Sequence, residues 1–503
     1  MDRTPLLKSK LFWIGILYFA EGFPLGVFYE IFPVYFRNQG VELKEIGLLS
    51  LLGLAWTLKF LWAPAIDFFR HHRWWMFSVD ILMGAVMLFF SIVAGFGPWV
   101  WVAIGVFTVL SATNDIAIDG YTIELLEKQE LGLANGIRIG LYRVGMLASG
   151  VILILSDYLS WSGAYVVAGI TFGVLALACL AAPKERLKAR QVSTGLAEEF
   201  KSILAHPYAL AAILFFALGT LWLINRVTKW STAFSYFWWV AFAVALGLWL
   251  IVTLLRGKPP EKEAGLPPAL NQGPMFGALM EMLSRPYILP VVLFILIFKL
   301  ADSSMGFMVK PFWVDAGFSN AQIGLVSVNL GLVLSIAGGI AGGWYTDRVG
   351  IFKALWVLGL AQALSNLGYA YAAHVLPIIP KGSEYVVPMA HQALIYSASA
   401  LESFTGGLGT AAFLAFLMAI VDKRRSATEY ALLSSIFALS RSFAGWAGGY
   451  GAQTMGYAPY FFLTFFLAFP AYFLLPWVAK MLKYADTNLN IEEPALTAEK
   501  RNQ

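Results

Sequence analysis

Apolar runs of about twenty residues or more follow one another along the chain, each broken by a short cluster of Gly, Pro or charged residues. Each run is long enough to cross a hydrocarbon core of about 30 Å as a helix. The pattern predicts spans at 11–36, 45–68, 74–96, 99–126, 132–156 and 161–182. Two more follow at 208–225 and 231–255, and a last six at 287–313, 320–345, 352–376, 391–421, 427–453 and 457–482. The expected fold is an all-α polytopic membrane protein of about fourteen transmembrane helices, grouped six, two and six.

Composition strengthens this picture. Hydrophobic residues make up 59% of the chain and charged residues 13%, against about 25% charged in soluble proteins. The first run, Leu11 to Phe36, reads as a span and not a cleaved leader, because it is long and holds Glu21 and Glu30. Cys179 is the only cysteine, which excludes an intramolecular disulfide.

Lys and Arg then orient the chain. One side collects Arg3, Lys8, Lys10, Arg70, Arg73, the 184–190 cluster, Arg256, Lys258, Lys262, Arg285, Arg348, Lys353 and Lys423 to Arg425. The other side has few, among them Arg37, Lys44, Arg226, Lys229 and Lys381. Both termini are expected in the cytoplasm. The net charge of +5 follows from this sidedness and does not point to nucleic acid. The expected divisions are a first bundle at 1–182, linkers with two extra helices at 183–286, a second bundle at 287–485 and a polar tail at 486–503.

The two six-helix sets resemble each other. "NQGVELKEIGLLS" (38–50) aligns with "DAGFSNAQIGLVS" (315–327), placing Gly40 on Gly317, Ile46 on Ile323 and Gly47 on Gly324. Asp67 matches Asp347 in the loop that follows. Parallel repeats about an axis along the membrane normal are how many transporter halves are built, with the substrate path between them. The stretch Gly342 to Gly350 resembles the major facilitator loop after the second helix of a half. That likeness makes Asp67, Asp347 and Arg348 a candidate cytoplasmic gate.

Charges inside spans cost roughly 2.5–3.5 kcal/mol each on insertion scales, so they face a partner or a cavity. In 99–126, Asp115 and Asp119 lie about 5 and 10 Å to the cytoplasmic side of the middle, about 40° apart on one helix face. Arg143 and Arg138 fall at matching depths on the next helix in sequence, which suggests the pairs Asp115–Arg143 and Asp119–Arg138. The arginines are about 140° apart around their helix, so both can hardly face one acidic face. Either the acids form a static ladder, or at least one exchanges a proton or works a cytoplasmic gate. Glu21 lies near the middle of the first span before Pro24. By the repeat offset it falls beside Lys299, which also has Asp302 three residues on. Glu402, Lys59 and Arg441 are further charges within spans, the last two suited to a cargo carboxylate or to partner duty. Asn114, Tyr121 and Tyr142 complete a candidate substrate cavity. Glu30 and Lys310, near the span ends, read as snorkelling side chains.

"YFAEGFPLG" (18–26), "SATNDIAIDGYTIELL" (111–126), "LYRVGMLASG" (141–150) and "FTGGLGTAAFLAFLMAIVDKRRSATEYALLSS" (404–435) resemble the AmpG muropeptide permease family. That family groups with the acetyl-coenzyme A transporters in the major facilitator superfamily. Asn114 and Gly120 stand where the family pattern often has Gln and Ala. The resemblance implies proton-coupled import of anhydro-muropeptides across the bacterial inner membrane for cell-wall recycling. Its partners would be a polar anionic cargo, protons and the bilayer, with no cofactor, no metal and a monomeric state. Siderophores or an acetyl-coenzyme A-like anion are alternative cargoes, and a non-transporting sensor is an alternative role. An enzyme is not expected: the five histidines make no ligand set, and no nucleophile elbow or phosphate loop is present in the sequence.

Overall fold

The computed structural model describes residues 10–59, 71–93, 97–125, 131–184, 285–380, 385–421 and 426–488, with a few isolated positions between. The expected extra spans 208–225 and 231–255, Asp67, most of the cytoplasmic linkers and the tail lie outside the described residues. All regular structure among the described residues is helical. Among the described residues, eight helices are long and apolar enough to cross a membrane, or nine if a pair bent by 47° at residues 473–474 counts as one.

In the first half, α1 (Lys10–Gly26) continues through a π-helical turn (Val27–Ile31) into α2 (Phe32–Asn38). The turn follows Pro24, whose missing N–H breaks the regular ladder. Then come α3 (Leu43–Leu49), a 3₁₀ turn (Ser50–Gly53), α4 (Leu54–Leu58), α5 (His72–Ile92) and α6 (Pro98–Leu125). The long α7 (Leu131–Ala181) is two legs joined at Ser160, where φ is 60°.

The second half repeats the plan. α8 (Ile288–Phe298) and α9 (Leu300–Asp315) form one pass broken at Lys299. α10 (Asn320–Gln322), a π-helical stretch (Ile323–Leu330) and α11 (Gly331–Val349) form the next. α12 (Ile351–Val375), α13 (Met389–Ala419) and α14 (Ser426–Met455) follow, and α15 (Tyr457–Leu467), α16 (Phe469–Tyr472) and α17 (Leu475–Asn488) close the chain. The side chains left exposed on these helices, such as Ile92, Trp99, Leu289 and Ile340, are large and apolar, as a lipid-facing surface requires.

The aligned glycines prove to be matching structural devices. Gly40 has φ 90° and Gly317 has φ 85°, values that suit glycine. At the first, Val41 N–H donates to Phe36 O at 3.0 Å; at the second, Phe318 N–H donates to Trp313 O at 3.1 Å. Both are the same helix-ending loop. The next matched pair, Gly47 and Gly324, brings the halves together. A Cβ on Gly47 would lie 2.7 Å from Gly449 Cα on α14, and one on Gly324 would press on Gly150 of α7. The seam between the halves is thus built twice, once from each repeat, by backbones in near contact.

Candidate functional site

In the first half, three acids surround one lysine. Lys59, at the end of α4, makes an ion pair with Asp115 of α6. Asp119 and Glu21 are also electrostatic neighbours of Lys59. Tyr18 of α1 donates to Asp119 Oδ1 at 3.0 Å. Tyr142 on the first leg of α7 feels Glu21, Asp115, Arg143 and Arg441.

This arrangement corrects the Asp115–Arg143 rung of the expected ladder. Asp115 takes Lys59 and not Arg143, whose Nη1 reaches Ser335 Oγ at 3.4 Å instead. The reason is helix order: α6 packs on α5, α1 and α4, while α1 packs closely on α7. α6 and α7, though consecutive in sequence, are therefore not close neighbours at this level. Close α1–α7 contact is enforced by glycine, since a Cβ at Gly22 would collide with the Tyr142 carbonyl. The side chain of Arg138 lies outside the described residues.

A second cluster occupies the other half. Lys299 is fully buried and donates to Gln362 Oε1 at 2.8 Å; Asp302 Oδ2 and Gly406 O lie at 3.4 Å. Glu402 accepts from its neighbour Ser403 at 3.3 Å and acts on Lys299 along with Asp302. A small crevice beside Asp302 and Gln362 is walled by Phe298, Gly359, Asn366 and Tyr472. The expected meeting of Glu21 and Lys299 is not made: Lys299 is held by Asp302 within its own half, and Glu21 belongs to the Lys59 cluster. Repeat-related positions sit in separate bundles, so a shared offset does not bring them together.

Three other expectations change. Asn114 is fully buried and donates to Asp80 Oδ1 at 2.9 Å, inside the first bundle. It sits about 100° around the helix from Asp115. Tyr121 is also buried, and donates to Pro183 O at 2.7 Å, tying α6 to the end of α7. Asp347 and Arg348 are exposed at the end of α11, and the Arg348 guanidinium lies 4.2 Å over the Trp344 ring. Adjacent residues on a helix diverge by about 100°, and among the described residues no ion pair joins these two; Asp67, the third residue of the expected gate, lies outside them.

Polar ties between the halves gather at one end of the bundle. Arg37 grips Asp315 through two bonds of 2.6 Å, and Tyr457 donates to the same carboxylate at 2.7 Å. Asn38 donates to Asn320 at 2.7 Å, Leu43 N–H to Gln453 at 2.9 Å and Ala321 N–H to Asp157 at 2.6 Å. Lys310 meets Glu30 at 3.0 Å, so these two are cross-half partners and not snorkelling side chains. Sequence reasoning also passed over Asp80, a single acid in the middle of an apolar span, which lies 3.5 Å from the Cys179 thiol. Its signal was present, since one carboxylate interrupts the apolar run of α5.

The Major Facilitator Superfamily profile matches residues 14–236. An Escherichia coli relative named anhydromuropeptide permease is 26% identical over 94% of this chain and 81% of its own length. A Rickettsia felis relative bearing the name transporter AmpG 4 is 23% identical over 95% of this chain and 98% of its own. Among solved structures, the peptide transporter PepTSo of the POT family matches with TM-score 0.65 at 13% identity, covering 97% of this chain and 99% of that one. A bacterial homologue of the human lysosomal transporter Spinster, inward-facing and unoccupied, matches with TM-score 0.62 at 12% identity, covering 96% and 99%. The fold is that of the major facilitators.

Proposed function

We propose that this chain, a transporter of major facilitator fold related to the AmpG permeases, imports anhydro-muropeptides across a bacterial inner membrane, driven by protons. The observation that carries the reading is the alignment with the anhydromuropeptide permease along 94% of the chain, both halves included. The charge clusters support a coupled cycle. A carboxylate bound to a cation in one state and released in another can take up a proton on release. Lys59, with Asp115, Asp119 and Glu21 around it, is suited to exchange partners in this way. Lys299, with Asp302 and Glu402, is the matching group of the second half.

With the basic loops in the cytoplasm, the tied end of the bundle is the outer one. Arg37–Asp315 and Glu30–Lys310 then close the path to the outside. Uptake of labelled N-acetylglucosaminyl-anhydro-N-acetylmuramyl peptide into inside-negative vesicles, with and without a proton gradient, tests the proposal. Gradient-dependent accumulation is expected. Accumulation of acetyl-coenzyme A or a ferric siderophore in its place would overturn the cargo, and binding without accumulation would make the chain a sensor.

A further inference from the structure

Nearly every membrane-embedded cation with a described side chain rests on an acid. Arg37 holds Asp315, Lys59 holds Asp115, and Lys299 holds Asp302. Lys310 holds Glu30, and Arg285, just before α8 and outside the spans, likewise holds Glu429. Two arginines stand apart from this pattern. Arg143 has only the Ser335 hydroxyl, at a long 3.4 Å, and Arg441 lies with its guanidinium 4.6 Å above the Tyr29 ring. Among the described residues neither has a carboxylate. Both are partly buried, and each is an electrostatic neighbour of the other and of Tyr142.

Their position is as informative as their lack of partners. Arg143 comes from α7 in the first half and Arg441 from α14 in the second. Each reaches across the seam between the bundles, Arg143 to Ser335 of the second half and Arg441 to Tyr29 of the first, where the cargo path of such a repeat lies. Like charges within electrostatic reach of one another in a low-dielectric setting repel, and an anion between them would relieve that repulsion. Guanidinium is the group best matched to a carboxylate, through two parallel N–H donors. Stacking on Tyr29 holds the Arg441 plane while leaving its edge donors free to turn to a ligand.

We propose that Arg143 and Arg441 form a two-sided clamp for a carboxylate of the cargo, one jaw on each half. The assignment deepens the muropeptide reading by naming the peptide carboxylate, and not the sugar, as the group that bridges the halves. A bound anion replaces repulsion across the seam with attraction to both bundles. Cargo occupancy thereby favours the approach of α7 and α14. Lys59 is not a third jaw in this conformation, because Asp115 occupies it.

The test uses the purified full chain in nanodiscs with an N-acetylmuramyl peptide carrying free carboxylates, its fully amidated counterpart, and a sugar-free acidic tripeptide. The wild type is expected to bind the free acid at least tenfold more tightly than the amide. Arg143→Gln and Arg441→Gln should each remove that preference while leaving affinity for the amide unchanged. Arg143→Lys and Arg441→Lys, which keep charge but lose the two-donor edge, should fall between. Equal binding of acid and amide by the wild type would overturn the clamp, and so would an equal loss for both ligands in the variants. If the glutamine variants fail to fold, the wild-type acid-to-amide ratio and the lysine variants decide the matter. Should no muramyl ligand bind while the sugar-free tripeptide raises the melting temperature of the wild type alone, the clamp stands and the cargo proposal falls.

Discussion

Replacing Asp315 with Asn would loosen the tied end of the bundle, and the structure sets the size of the effect. Asp315 is 6% exposed and receives two 2.6 Å bonds from Arg37 and one of 2.7 Å from Tyr457. Breaking a buried ion pair by removing one partner costs about 3–5 kcal/mol. Arg37 is 19% exposed and keeps the Val41 carbonyl at 2.8 Å, and Tyr457 can still donate to an amide oxygen. The loss for the tied form is therefore smaller than for a fully buried pair, about 2–3 kcal/mol. That corresponds to a shift of about thirty- to one-hundred-and-fifty-fold in the balance between tied and open ends. Spin labels on Gln39 and Ser319, both exposed at this end, in a Cys179→Ala background would report it by pulsed electron resonance. A form tied 99 to 1 should fall to between about three to one and two to three, with a longer-distance population appearing. An unchanged distance distribution in a well-folded Asp315→Asn protein would refute the reasoning.

Three further outcomes follow from the same geometry. Asp115→Asn or Asp119→Asn should lose gradient-driven accumulation in vesicles while ligand binding persists; full proton-dependent uptake by both variants would remove the acids from the coupling scheme. Gly47→Ala should wedge α3 from α14, since its Cβ would meet Gly449 Cα at 2.7 Å and Gly445 O at 2.8 Å. A loss of about 1–3 kcal/mol is expected, read as a lower melting temperature in detergent. Asp80→Asn should be tolerated within about 1 kcal/mol because it can still pair with Asn114, whereas Asp80→Ala strands that amide and should cost about 2–3 kcal/mol. Equal melting temperatures for these two variants would contradict the assigned role of the Asn114 bond.

What the sequence showed and what it hid divide along a physical line. Hydrocarbon thickness dictates run length, so the spans 11–36, 74–96, 99–126, 287–313, 320–345, 352–376, 391–421 and 427–453 were legible to within a few residues, whereas 132–156 and 161–182 are the two legs of one long helix kinked at Ser160 and 457–482 is broken near residue 473. The repeat was legible because Gly40 and Gly317 must adopt positive φ, and Gly47 and Gly324 must let backbones touch. Partnership was not. Asp115 and Arg143 match in depth, yet which helices touch is decided by the three-dimensional order of the bundle, and α1 is the helix packed on α7. Glu30 and Lys310 looked like isolated charges near span ends because each partner lies in the other half.

The division of charge between bundle and seam has a consequence for coupling. Within the described side chains, excess acid lies inside each half, around Lys59 and around Lys299, while the arginines without acids lie between the halves. A rocking motion leaves the interior of each bundle nearly rigid and changes distances across the seam most. Arg143 and Arg441 therefore feel the conformational change directly, through the gap they share. The acid clusters feel it indirectly, because Tyr142 and Arg441 lie within the electrostatic reach of one or other of them. A cargo carboxylate between the arginines would cancel positive field at both clusters at once. Each cluster would then hold a proton more readily on its surplus acid. Cargo and proton would in this way favour each other's binding without touching, and linkage requires the effect to be mutual. If so, raising the proton concentration should tighten carboxylate cargo binding in the wild type and leave the amidated ligand's affinity nearly flat over the same pH range. A pH response shared equally by both ligands would place the coupling somewhere other than the seam.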